Sequence, residues 1–155
     1  MDRDAGESIR FLYSYFALFG DPLIDDSLNP YQDGLLERLR GVGVNGVWLH
    51  VVLRQLAPAK DFPEWGEGWQ TRLANLRKLV DHAGRYGVKV YLYMNEPRAM
   101  PNAFFTADRA GLRGAQEGDY TCLCTSTPAV REWVTNSLRQ VFTEVPNLGG
   151  VFTIT

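Results

Sequence analysis

Gly43-Val44-Asn45-Gly46 followed by Val47-Trp48-Leu49-His50-Val51-Val52-Leu53 sets a pair of glycines against a nearly unbroken apolar run. Glycine ends helices readily because it enters left-handed backbone without steric penalty. An apolar run of this length suits a strand buried on both faces, as parallel sheets require. The junction recurs at Gly87-Val88-Lys89-Val90, which opens a stretch to Met94, and at Gly149-Gly150-Val151, which opens another to Thr155.

Amphipathic helices are expected between these strands. Asn29-Pro30 reads as a start: Asn caps free amides, Pro fits the first helical position, and Gln32 sits where a capping box places it. Leu35, Leu36, Leu39 and Val42 then share a face, and Gly41 and Gly43 end the segment. Leu73, Leu76, Val80 and Ala83 keep helical spacing in a second helix. Thr127-Pro128 repeats the capped start, and Val130, Val134, Leu138 and Val141 follow on one side. Arg10 to Phe19 is rich in aromatic residues and reads as a first strand that stops at Gly20-Asp21-Pro22.

Three strand–helix units and a further strand give an α/β fold with a parallel sheet. No G-x-G-x-x-G pattern follows the first strand and no Walker pattern is present, which argues against dinucleotide and P-loop folds. Four strands are half of a (β/α)8 TIM barrel, which takes about 250 residues. The expectation is therefore a partial barrel: residues 1–155 form an N-terminal half, the first three βα units plus a fourth strand in which the chain stops. A small complete α/β sheet with its last strand at an edge is the alternative. A half-barrel leaves two unpaired edges and an unfilled interior, so self-association through those edges is expected.

The 155 residues carry 16 Lys and Arg against 18 Asp and Glu, a net charge of −2. That balance offers no strong attraction for nucleic acid or an anionic membrane. No apolar run approaches the roughly 20 residues that span a bilayer. Met1-Asp2-Arg3-Asp4 places acids where a signal peptide needs a basic and then an apolar stretch, so no export signal is expected and the compartment stays open. Cys122 and Cys124 form C-x-C, without the C-x-x-C spacing or the second ligand pair of zinc and redox sites. Two free thiols are expected, and neither a metal nor a cofactor.

In a barrel, chemistry collects at the C-terminal tips of the strands. Asp21 follows the first strand, His50 and Arg54 lie at the second, and Asn95, Glu96 and Arg98 follow the third. Trp65 and Trp69 lie in the long loop behind the second strand and are candidates for a stacking wall. Indole faces, carboxylates, amides and guanidinium groups together suit a sugar ring. Each candidate also has a purely structural reading. His50 can be a satisfied core histidine, Glu96 and Arg98 an ion pair, and Arg54 a partner of Asp61 or Glu64. The tryptophans can be packing residues, and the basic residues Arg72, Arg77, Lys78 and Arg85 a solvated helix face.

Tyr13-Ser14-Tyr15-Phe16-Ala17-Leu18-Phe19-Gly20-Asp21-Pro22-Leu23 and Gly43 to His50 resemble the opening of glycoside-hydrolase-type TIM barrels. The resemblance extends through Tyr91 to Arg98 and Leu123 to Pro128, and is nearest to the β-N-acetylhexosaminidase-like group. It implies acid/base hydrolysis of a hexoside in the full-length protein, with Asp21, His50, Arg54, Asn95, Glu96, Arg98, Trp65 and Trp69 on the substrate side. In such barrels the catalytic acid pair follows the fourth strand, which here reaches Thr155. The main pair is therefore expected beyond this chain, Glu96 is the best carboxylate within it, and the isolated chain is expected to be inactive. A non-catalytic carbohydrate-binding or scaffold protein is the alternative.

Overall fold

Alternation along two central strands organises the molecule. The computed structural model describes residues 8–153; the acidic start and the last two residues of the expected fourth strand lie outside them. The chain runs through β1 (Phe11–Leu12), α1 (Asp33–Gly41), β2 (Gly46–His50), α2 (Trp69–Gly84) and β3 (Lys89–Met94). It continues through β4 (Met100–Pro101), β5 (Arg113–Glu117), β6 (Tyr120–Leu123), α3 (Pro128–Glu144) and β7 (Gly150–Thr153). Strands β1, β2, β3 and β7 form one parallel sheet in that order.

Gly46 to His50 pair with Lys89 to Tyr93. Successive side chains on a strand point to opposite faces. One face thus carries Val47, Leu49, Val90 and Leu92, all 0% exposed and packed in one core with Leu36 of α1, Leu76 and Val80 of α2, and Val130 and Val141 of α3. The other carries Trp48, His50, Tyr91 and Tyr93, each half-buried. The sequence reading of strands buried on both faces therefore holds for only one face. Aromatic rings meet across this second face. Tyr93 stacks on Phe152 at 5.3 Å, and Phe11 stacks on Phe152 at 5.4 Å. The last contact joins the two outer strands, although three strand spacings, about 14 Å of flat sheet, lie between them.

Two glycines make room for this face. A Cβ on Gly46 would meet the Phe11 ring at 2.8 Å and the Tyr91 ring at 3.1 Å, and one on Gly149 would meet the Tyr91 ring at 2.8 Å. The glycines at the starts of β2 and β7 thus have a packing cause, since the Tyr91 ring lies against bare backbone on both sides, whereas Gly87 before β3 is required by its left-handed backbone, φ +67°.

Helices α2 and α3 follow their expected apolar spacing, and α3 starts at Pro128 behind Thr127. Helix α1 begins at Asp33, three residues past Pro30; Asn29 instead accepts the Tyr31 amide in a turn at 3.1 Å. The expected Arg10–Phe19 strand shrinks to two residues. Tyr15 and Phe19 are four apart and stack at 4.5 Å, which a 3₁₀ turn over Tyr15–Ala17 allows and a strand does not. The short β1 leaves the Trp48 carbonyl, on that side of β2, without a strand partner, and the buried Tyr31 hydroxyl donates to it.

The segment between β3 and α3 holds a second, antiparallel sheet in the order β4-β6-β5 that the sequence reading did not foresee. No helix among the described residues is long and apolar enough to cross a membrane.

Leu49 occupies the centre of the buried face. Leu49→Ala is expected to cost about 2–5 kcal/mol, through lost burial and a residual cavity. The urea denaturation midpoint checks this.

Candidate functional site: the rim at the strand tips

The tips of β2 and β3 meet around one carboxylate. Odd-numbered residues of β2 direct their backbone groups towards β3, and the last of these bonds is Val51 N–H to the Tyr93 carbonyl at 3.0 Å. Leu53, two residues further, faces the same side where β3 has ended. Glu96 replaces the missing strand: its Oε1 accepts the Leu53 N–H at 2.8 Å and its Oε2 accepts the Arg98 N–H at 3.0 Å. Burial pushes the Glu96 carboxyl above its ordinary pKa and outweighs those two donors and the charges of Arg98 and Arg54, which act the other way. A carboxylate has about four acceptor positions, so Glu96 keeps capacity for a further donor.

Glu96 and Arg98 do not form the side-chain ion pair that the sequence allowed. The Arg98 guanidinium donates to His50 Nε2 instead, and Arg98 Nε is buried without a partner. Burial, and then the Arg98 charge, hold the imidazole below its ordinary pKa of 6.5. His50 is thus neutral at pH 7, with Nε2 as the acceptor.

Asp21 lies after β1. Its Oδ1 accepts the Leu23 N–H at 3.3 Å, and its Oδ2 meets Arg72 Nη2 at 2.9 Å. Arg72 also donates to the Glu67 carbonyl at 2.9 Å, and its side chain is only 14% exposed. The sequence reading placed Arg72 on a solvated helix face. The structure corrects this, because the first turn of a helix that follows a strand lies beside the strand tips, and Arg72 is in that turn of α2. A cavity of about 290 Å³ is lined by Asp21, His50, Gln55 and Arg72, and one of about 420 Å³ by Arg54, Gln55, Trp65 and Arg72. The two share Gln55 and Arg72.

Arg54 pairs with neither Asp61 nor Glu64; its Nη1 donates to Met100 Sδ at 3.1 Å. Glu64 is engaged by Arg109, whose guanidinium also lies 4.6 Å from the Phe104 ring centre. Asn95 is exposed and donates to the Tyr93 hydroxyl at 3.1 Å. The two tryptophans do not form a stacking wall. Trp65 is 8% exposed, with its ring 4.1 Å from Phe62, 4.7 Å from Trp133 and 5.7 Å from Phe104, so core aromatics occupy its faces. Trp69 opens α2 and packs on the same core. Cys122 and Cys124 are half-buried free thiols. Among the described residues no three His, Cys, Asp or Glu side chains gather as a metal site would need.

No protein-family model matches the chain, and no curated protein matches it. Among solved structures the chain is similar to a noncanonic maltogenic alpha-amylase, AmyB from Thermotoga neapolitana. The TM-score is 0.55 at 18% identity, covering 92% of this chain and 38% of that chain. At this identity the likeness speaks for the fold alone, a mixed α/β structure with a parallel sheet. It gives no support to the hexosaminidase-like group in particular.

Two measurements test the rim. Glu96→Ala strands the Leu53 amide and is expected to cost about 1–3 kcal/mol, with faster hydrogen exchange at that amide. A histidine whose folded pKa is depressed contributes stability that is present above its unfolded value and lost as pH falls through the folded one. The wild-type urea midpoint is therefore expected to fall below pH 6.5 more steeply than that of His50→Gln; equal slopes would remove the buried neutral histidine.

Proposed function

We propose that this chain is the N-terminal half of a (β/α)8 barrel of glycoside-hydrolase type, and that its rim forms one wall of a sugar site. The observation that carries this reading is the gathering of His50, Arg54, Glu96 and Arg98 where two adjacent parallel strands end, next to the Asp21–Arg72 pair. A rim of hydrogen-bonding groups beside open cavities is what the hydroxyls of a sugar need. The half-barrel draws support from the meeting of Phe11 and Phe152 over the aromatic face, since a sheet that begins to close brings its outer strands together. The share of the amylase-type structure that the chain spans points the same way.

Hydrolysis needs two carboxyl groups about 5–10 Å apart across the scissile bond. Asp21 is tied to Arg72, and both oxygens of Glu96 hold backbone amides. In this reading the chain binds sugar, and the catalytic pair of the whole protein belongs to the other half. The same engagement of both acids favours the second reading, a non-catalytic carbohydrate-binding or scaffold protein.

Two sets of glycosides separate the substrate classes: aryl N-acetylhexosaminides, after the sequence resemblance, and aryl α-glucosides, after the structural one. The 155-residue chain is expected to turn over neither, and to shift its His50 ring resonances when titrated with methyl hexosides. Turnover by the isolated chain would overturn the half-barrel reading, and silence of His50 towards every sugar would overturn the sugar site. Strands β1 and β7 each have one neighbour in the sheet. Sedimentation is accordingly expected to show dimers or larger species joined at these edges, and a strict monomer would count against the half-barrel.

A further inference from the structure

The antiparallel sheet β4-β6-β5 carries both cysteines of the chain, and the rim uses neither. Exposure alternates along β6 and one residue past it: Thr121 and Leu123 are buried, whereas Cys122 and Cys124 are half-buried. Cys124 continues the extended pairing beyond the end of β6, since its N–H donates to the Leu112 carbonyl at 2.8 Å. Side chains two apart on an extended strand share a face. Both thiols therefore stand on the outer face of this sheet, opposite Leu123, which packs into the core.

Strand β5 leaves room beside them. Between Arg113, which pairs with Leu123, and Gln116, which pairs with Thr121, two small residues, Gly114 and Ala115, stand against Cys122 alone. A Cβ on Gly114 would meet the Cys122 carbonyl oxygen at 3.0 Å and the Cys124 Cα at 3.3 Å, so bare backbone packs on the span that joins the two thiols. Cys122 also lines an open cavity of about 670 Å³ with Ala99, Ala115 and Tyr120.

The spacing decides what the pair can hold. Residues two apart on a strand have Cα atoms about 6.7 Å apart, and Cβ atoms on one face keep roughly that spacing. A disulfide requires Cβ atoms about 3.5–4.5 Å apart, so extended backbone keeps these sulfurs from bonding to each other. An ion between two sulfurs, with metal–sulfur bonds of about 2.3 Å, sets the sulfurs roughly 4.6 Å apart. A modest lean of the two C–S bonds supplies that separation. Structural zinc takes four ligands and iron–sulfur clusters are held by four thiolates. Among the described residues no three His, Cys, Asp or Glu side chains gather. Of the metals that select thiolates, this leaves monovalent copper, which two sulfurs in a line satisfy.

We propose that Cys122 and Cys124 bind one Cu(I) ion between them, each supplying a thiolate. The two thiol protons pass to solvent as the ion enters. Copper stays in the +1 state throughout, so no oxidant or reductant takes part. This site is independent of the sugar reading of the rim.

Titration of the full chain with Cu(I), under ascorbate and against a chromophoric Cu(I) chelator, tests the proposal. The wild type is expected to withdraw one ion per chain, and Cys122→Ser and Cys124→Ser each to lose about a hundredfold or more in affinity. Urea midpoints measured without copper check that both variants fold. X-ray absorption of the copper-loaded wild type needs no variant and should show copper between two sulfur scatterers. Glutathione disulfide should leave the chain without a Cys122–Cys124 bond, as mass spectrometry of its peptides reads.

No withdrawal of copper, two ions per chain, or one ion that a single variant holds as tightly would overturn the shared site. Three or more ligands around copper, or zinc retained through gel filtration, would overturn the two-sulfur assignment. Ready formation of the Cys122–Cys124 disulfide would remove the extended spacing on which the site rests.

Discussion

The parallel register between β2 and β3, Gly46 against Lys89 through His50 against Tyr93, decides where every other part of the molecule can go. With a two-residue period, the register sends Val47, Leu49, Val90 and Leu92 beneath the helices and Trp48, His50, Tyr91 and Tyr93 to the opposite face. A slip of one residue on β2 would bury Trp48 and His50 against the helices and expose Val47 and Leu49, and one on β3 would bury Tyr91 and Tyr93 and expose Val90 and Leu92. The register also determines which backbone groups of β2 outrun their strand partners. On one side the Trp48 carbonyl passes the end of β1 and takes the Tyr31 hydroxyl; on the other the Leu53 amide passes the end of β3 and takes the Glu96 carboxylate. Unpaired backbone groups are costly when buried, so both side chains are drawn in by the same need.

This gives the rim two duties. Glu96 completes the sheet and holds the backbone of Arg98, whose guanidinium reaches His50. Arg72 and Asn75 of α2 tie down the loop after β1 through Asp21 and the Leu23 carbonyl. The cavities are therefore framed by groups whose positions are fixed by the fold, with Arg54 held by a hydrogen bond to the Met100 sulfur.

Much of the architecture was readable from the residues because it rests on periodic burial. Leu73, Leu76, Val80 and Ala83 are all buried on α2, and the glycine–valine junctions fall at or next to strand starts. The aromatic run before Gly20 misled, because aromatic content is shared by strands and by rings stacked four residues apart. The second sheet left little trace: β4 is two residues long and contains Pro101, and β5 is polar with a register shift between Arg113 and Gln116. At the rim, strand-tip logic found Asp21, His50, Arg54, Glu96 and Arg98. It missed Arg72, which reaches the rim from a helix, and it misplaced Trp65, whose three aromatic neighbours lie from 3 to 68 positions away.

Tyr91 lies between Gly46, at the start of β2, and Gly149, just before β7, two positions where a methyl group would strike its ring. These three residues behave as one volume shared among three chain segments far apart in sequence. A homologous chain that gained a side chain at 46 or 149 would have to give up the ring at 91, and with it an aromatic layer over the open face. The size of one central residue is thus recorded at two distant glycines, and where these three positions change, they should change together.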